Sequence, residues 1–260
     1  MASVGPLPVK SDPSGALALR DLSVAFGTRI VLGPVTLDIP PHCTTVVVGD
    51  SGSGKSMLLQ AINRLHEMHP DRQITGQVRL DGVDLLDKAV SAREVRRRIG
   101  MVFPTPTTLP MSVRGNFAFA LGLHARVTRR ERDARMVDAL ARSGLWPALR
   151  EALDSPASSL SLGEQQHLCI ARALAIGAEV LLLDDPTRML DPAAALGLEE
   201  LLDALKADVT IVLATSQLPQ AARCGDQVAL LQCGAIVDVG TAAEVLMPRT
   251  RHSAHMNAGP

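Results

Sequence analysis

Gly49-Asp-Ser-Gly-Ser-Gly-Lys-Ser56 lies between a β-branched, apolar run, Thr44–Val48, and a segment, Met57–Leu65, whose apolar residues recur at helical spacing. The octet fits G-x-x-x-x-G-K-[ST], and its flanks predict a buried parallel strand turning into a helix. Glycines in such a turn let successive backbone N–H groups face an anion, and the start of the helix adds its partial positive charge. Gly49, Asp50, Ser51, Gly52, Ser53, Gly54, Lys55, Ser56 and Met57 are therefore the expected cradle of a nucleotide's phosphates. Lys55 is placed to reach the β/γ-phosphates and the Ser56 hydroxyl to ligate Mg²⁺.

Outside this loop the composition excludes several classes. With 260 residues, 47% of them hydrophobic, the chain can bury one large core, divided at most into two lobes. A formal net charge of −1 gives no whole-molecule attraction to nucleic acid or anionic lipid. No apolar run approaches the roughly 18 residues of a membrane span, so no direct insertion is expected. Met1–Gly15 lacks the basic-then-apolar layout of a signal peptide. Residues 1–16 and 248–260 read as a disordered lead-in and tail around one nucleotide-binding domain, 17–247. Cys43, Cys169, Cys224 and Cys233 have no metal-ligand spacing. Three of them sit in apolar or strand-like settings that favour buried, reduced thiols, as in a cytosolic protein. His66 and His69 lack a third ligand and read as surface residues.

Along the chain, Leu17–Phe26 and Ile30–Ile39 alternate as two antiparallel strands around a turn at Gly27. Gln77–Leu86 reads as a strand with a turn at Asp81-Gly82, Ser91–Arg98 as a short basic helix and Ile99–Phe103 as a strand. Pro104-Thr-Pro-Thr-Thr-Leu-Pro110 cannot be regular structure, because proline removes a donor and fixes φ. From Ser112 to Ala175 the pattern is helical, with Arg129–Ser143 amphipathic. Strand–helix alternation then resumes with Val180–Leu183, Ala193–Leu205, Thr210–Ala214 and Pro219–Arg223. A hairpin, Gln227–Val239, closes the chain, turning at Cys233-Gly234. The fold class expected is α/β: a parallel core sheet, an antiparallel β subdomain and an inserted helical subdomain near 112–175.

Val180-Leu-Leu-Leu-Asp184-Asp185-Pro186 reads as a buried strand ending in two acids. Ligands of open parallel sheets bind beyond the carboxyl ends of the strands, so these acids fall beside the phosphate loop. Asp184 is suited to hold Mg²⁺, and Asp185 to act as general base on an attacking water. Together with Lys55, Asp185 forms the expected catalytic pair.

Upstream lies Leu160-Ser-Leu-Gly-Glu-Gln-Gln-His-Leu-Cys-Ile-Ala-Arg-Ala-Leu174, where Ser161 and Glu164 make a capping box that starts a helix. In this order with the phosphate loop and the acidic strand, it resembles the signature motif of ABC-transporter ATPases. The likeness covers about Leu17 to Leu246. Ala61-Ile-Asn-Arg64, Arg96–Phe103, Pro110–Val113, Gly144–Pro147 and His167–Ala175 are most similar to ATP-binding subunits of bacterial phosphate importers. The resemblance implies a P-loop NTPase fold of the ABC type that binds ATP and Mg²⁺. It implies a head-to-tail pair with a second cassette, in which the Ser161 hydroxyl and the Gly163 N–H complete the partner's γ-phosphate cage. It also implies an adenine stacked on Phe26, communication across the dimer through Asp191, and docking on transmembrane permease subunits by the segment after Phe103. The protein would then lie on the cytoplasmic face of the cell membrane.

The chain departs from that family at several positions. Pro104 stands for a glutamine, Leu162 for the signature's first glycine, Glu164 for its glutamine, Asp185 for the general-base glutamate and Ser216 for the switch histidine. A positioned base contributes roughly 10²–10⁴-fold, so these departures lead us to expect MgATP binding with slow hydrolysis.

Overall fold

The computed structural model describes residues 15–69, 71–124 and 127–246. The expected lead-in and tail fall outside them, except for Gly15 and Ala16. The Gly15 and Ala16 N–H groups donate to Asp81 Oδ1 at 3.0 and 3.3 Å.

In chain order the elements are β1 (Leu17–Phe26), β2 (Arg29–Ile39), β3 (Thr44–Val48), α1 (Lys55–Ile62), β4 (Arg72–Leu80), β5 (Val83–Asp84), α2 (Ala92–Arg98) and β6 (Ile99–Val102). The helical insertion follows: α3 (Val113–His124), α4 (Arg129–Arg142), α5 (Trp146–Leu149) and α6 (Leu162–Ile176). Then come β7 (Val180–Asp184), α7 (Pro192–Leu205), β8 (Thr210–Thr215), α8 (Leu218–Cys224), β9 (Gln227–Gln232), β10 (Ala235–Gly240) and α9 (Ala242–Leu246). The strand expected over Gln77–Leu86 begins earlier, at Arg72, and breaks at Asp81-Gly82 into β4 and β5. Helix α1 stops at Ile62 because Arg64 adopts a positive φ of 58°.

One sheet is antiparallel, in the order β2-β1-β4-β5, and the other runs β10-β9-β3-β8-β7-β6 with only β9 and β10 antiparallel. The alternation of side chains explains the layering. On β7, Leu181 and Leu183 face the core shared with the helical insertion, α7 and α8, whereas Val180 and Leu182 face the core shared with α1 and the antiparallel sheet. Ile211/Leu213 and Val212/Ala214 divide in the same way on β8. Both faces of these strands are covered, which is why the runs are apolar throughout rather than alternating. Arg98 joins the two sheets: its Nε donates to Glu179 Oε1 at 2.7 Å and its Nη2 to Asp81 Oδ2 at 2.5 Å. The closing hairpin turns at Cys233 and Gly234, both with positive φ (47° and 80°), the geometry that matches strand twist. Of the cysteines expected to be buried, only Cys169 is fully so; Cys43 and Cys224 are half-buried, and Cys233 is exposed in the turn.

Register fixes the position of the site. Val48 pairs with Thr215, and Asp184 with Ala214. The loops after β3, β7 and β8 therefore leave the sheet side by side at its carboxyl edge, where α/β folds place their ligands.

Candidate functional site

The loop between β3 and α1 wraps the start of α1. Its carbonyls turn inward: the Lys55 ammonium donates to the Gly49 and Asp50 oxygens at 2.7 and 2.9 Å. Gly49 has no room for a side chain, since a Cβ there would sit 2.1 Å from the Leu231 carbonyl oxygen. Gly54 caps the helix at φ 109°, a conformation suited to glycine. No side chain caps α1 and no acid lies in its first turn, so the leading N–H groups, which lack partners within the helix, remain available. Ser53 Oγ is buried without a hydrogen-bond partner.

The acids follow from β7. Asp184 is buried, and Ser56 Oγ donates to its Oδ1 at 2.9 Å. Burial raises the Asp184 pKa, against the Ser56 hydrogen bond, and the neighbouring Asp185 raises it further, while Lys55 and Arg188 oppose this. A cation between the Ser56 hydroxyl and the Asp184 carboxylate would relieve that desolvated charge, and hard oxygen donors of this kind suit Mg²⁺. Asp185 adopts a positive φ of 44°, held by its N–H donating to the Ala214 carbonyl at 2.8 Å. The strained backbone turns its side chain from the strand into the cleft.

That cleft, about 500 Å³, is lined by Ser51, Gly52, Gly54, Lys55, Ser56 and Met57 from the loop, and by Asp185 and Ser216 from the ends of β7 and β8. Gly49, Asp50 and Asp184 bond to lining residues, the first two to Lys55 and the third to Ser56. Three residues of the expected site lie off its lining, and two of them, Ser161 and Gly163, were expected to serve a partner's phosphate rather than this one. Phe26 does not line the cleft, and the Arg72 guanidinium carbon stands 5.1 Å from its ring centroid. Ser161 and Gly163 start α6 elsewhere, with a Cβ on Gly163 only 3.1 Å from Ala194 Cβ at the start of α7. A second chain would be needed to carry them to a phosphate.

At that helix start the capping box closes on itself. The Ser161 N–H and Oγ donate to Glu164 Oε2 at 2.9 and 2.8 Å, and the Glu164 N–H donates to Ser161 Oγ at 3.3 Å.

Two residues went unread in the sequence. Gln166 is fully buried, and its amide donates to the carbonyls of Phe103 (2.8 Å) and Pro186 (3.0 Å), stapling α6 to the loops after β6 and β7. Its signal was a polar residue on the stripe of α6 shared with Cys169 and Ile170, a place where burial demands partners. Arg188 lines the cleft beside Asp185; a lone arginine in a turn carries no pattern that would have marked it.

A model of the ABC transporter family matches residues 32–188. The phosphate import ATP-binding protein PstB of Pyrobaculum aerophilum is 46% identical over 231 residues, 88% of this chain and 92% of that protein. The chain belongs to the ABC transporter family. It is an ABC-type ATPase by descent, and the ABC fold extends beyond the matched segment. CbiO1 of Clostridium perfringens, part of the ABC transporter complex CbiONQ, superposes with a TM-score of 0.77 at 25% identity over 90% of this chain and 91% of that one. A bacterial Atm1-family ABC exporter with ATP bound shares the fold at a TM-score of 0.75 and 20% identity, over 94% of this chain and 41% of the exporter. Among the described residues, no helix of this ABC protein is long and apolar enough to cross a membrane.

Proposed function

We propose that this chain is the ATP-binding subunit of an importer, coupling MgATP binding and slow hydrolysis to uptake of a small anion, inorganic phosphate. The uncapped start of α1, with Lys55, Ser56 and Asp184 gathered around it, carries the ATP part of the reading. The backbone amides and Lys55 hold the phosphates, Ser56 and Asp184 the magnesium, and Asp185 faces the cleft as the base that accepts a proton from water. Magnesium, when bound, neutralises charge developing on the phosphoryl oxygens. Likeness to PstB over nearly its whole length supports phosphate as the cargo.

The chain works from the cytoplasmic face of the membrane. A groove of about 240 Å³ supports docking on permease subunits: Arg96, Arg97, Met101 and Arg172 line it with Phe119 and Leu123, which are 49% and 47% exposed. The slow turnover follows from Asp185, Ser216 and Pro104. Asp185 is one methylene shorter than a glutamate, Ser216 cannot span what an imidazole covers, and Pro104 offers no amide.

The self-closed capping box at Ser161 favours a second reading, a cassette that binds ATP in a heterodimer and relies on a competent partner for hydrolysis. Equilibrium titration of the purified chain with MgATP, followed by steady-state ATPase measurement, tests both. Retention of MgATP with turnover well below that of ordinary cassettes is expected. No retained nucleotide refutes the function, and turnover at the usual rate of the superfamily refutes the slow step. A rate that recovers only on adding a second cassette selects the heterodimer.

A further inference from the structure

We infer that Arg188 is the terminal-phosphate sensor of this cleft: its guanidinium binds the γ-phosphate held in the same chain and makes the site prefer ATP to ADP. The inference rests on the proposed nucleotide site and adds a residue to it.

Position comes first. The hydrogen bond from Ser56 to Asp184 places the metal end of the cradle at the carboxyl end of β7. Arg188 follows that end by one turn, and its N–H donates to the Asp185 carbonyl at 3.1 Å, which folds the turn back toward the sheet edge. The side chain accordingly lines the cleft together with Lys55, Ser56, Asp185 and Ser216. A guanidinium at this edge lies on the side of the cleft where β7 brings Asp184 to Ser56, the end of the cradle to which the inference assigns the last phosphate.

Charge comes second. Among the described residues lining the cleft, Lys55 and Arg188 are the cations. Lys55 is buried and already bonded to two loop carbonyls, whereas Arg188 is exposed, with no hydrogen bond or ion pair on its side chain among the described residues. The wall built by β7 and β8 otherwise offers an anion, Asp185, and two neutral groups, Ser216 and Gln217. A planar fork of donors is well matched to a phosphoryl group carrying two charges, and an unpaired one gives up no protein partner on binding it.

The test is equilibrium titration of the full chain and of Arg188→Ala and Arg188→Lys with MgATP and MgADP. Arg188→Ala is expected to weaken MgATP about 10- to 100-fold while changing MgADP by about twofold or less. Arg188→Lys should recover part of the loss, since it keeps the charge and loses the fork. The difference should be the same at low and high protein concentration, as a contact within one chain requires. Equal losses for both nucleotides, no loss for either, or an effect that grows with protein concentration overturns the inference while leaving the nucleotide site standing. A wild-type chain that retains neither nucleotide overturns the site and the inference together.

Discussion

Helices α1 and α6 both begin beside a glycine and both carry a partial positive charge at their first turn, yet they are finished in opposite ways. At α1 the cap is Gly54 in a left-handed conformation, with no side-chain acceptor and no acid nearby. At α6 the cap is Ser161, and Glu164 reaches back to bond both its N–H and its hydroxyl. Because the uncapped start of α1 opens on a cleft, its unsatisfied N–H groups can take their acceptor from a ligand there. A start that supplies its own carboxylate is stable alone and offers less to an incoming phosphate. The same contrast crosses the cleft: the α1 side carries the glycine loop, Lys55 and Ser56, whereas the ends of β7 and β8 line it with Asp185, Arg188, Ser216 and Gln217.

Removing the ammonium from the open start is the most severe way to break this comparison. Lys55→Ala should lower MgATP affinity on the order of 10³-fold, since several charge-assisted hydrogen bonds to phosphate are lost together. Calorimetric titration measures it, and circular dichroism should show the fold retained. An affinity within threefold of wild type would mean that the α1 wall is not the phosphate site.

Rebuilding the other wall is the next largest test. The triple substitution Pro104→Gln, Asp185→Glu and Ser216→His should raise steady-state turnover about 100-fold, with far smaller gains from each alone because the groups act as one unit. Unchanged turnover in the triple variant would show that the slow step lies elsewhere.

Opening the closed start should sharpen the contrast more gently. Glu164→Gln keeps a capping residue but removes the charge, so self-association in MgATP should tighten by about fivefold while thermal stability falls by about 0.5 kcal/mol. Sedimentation and a melting curve read the two effects, and weaker self-association would contradict the idea that the carboxylate competes with phosphate. Least affected should be Phe26→Ala. Its ring lies off the cleft lining and near Arg72, a contact of about 0.5–1 kcal/mol, so MgATP affinity should change by about threefold or less. A large loss would restore the stacking role read from the sequence.

Much of the fold was legible because its signals are local. The strand–glycine loop–helix order around Gly49–Ser56, the apolar run ending in Asp184-Asp185 and the capping box at Ser161 each depend on residues within a turn or a strand of one another. The break of β4 at Asp81-Gly82 was similarly marked by its own dipeptide, whereas the start of that strand at Arg72 was hidden in a polar stretch whose pairing with β1 alone decides it. Phe26 shows the limit. The family likeness implies a base against its ring, whereas Arg72 as its neighbour follows from the pairing of β1 with β4, which no local pattern shows.

By itself, then, the sequence determined the chemistry available: an anion cradle, two acids at a strand end and a helix start that caps itself. Those follow from covalent order, hydrogen-bonding capacity and side-chain period, which operate over a few residues. Only the tertiary structure decided which of these groups meet. Strand register brings Val48, Asp184 and Thr215 to one edge, so residues more than a hundred positions apart share a cleft. A local turn, closed by the Arg188 N–H on the Asp185 carbonyl, sets Arg188 just past β7, but only the register of β7 against β8 makes that place the edge of the cleft, and Ser161 lies outside it.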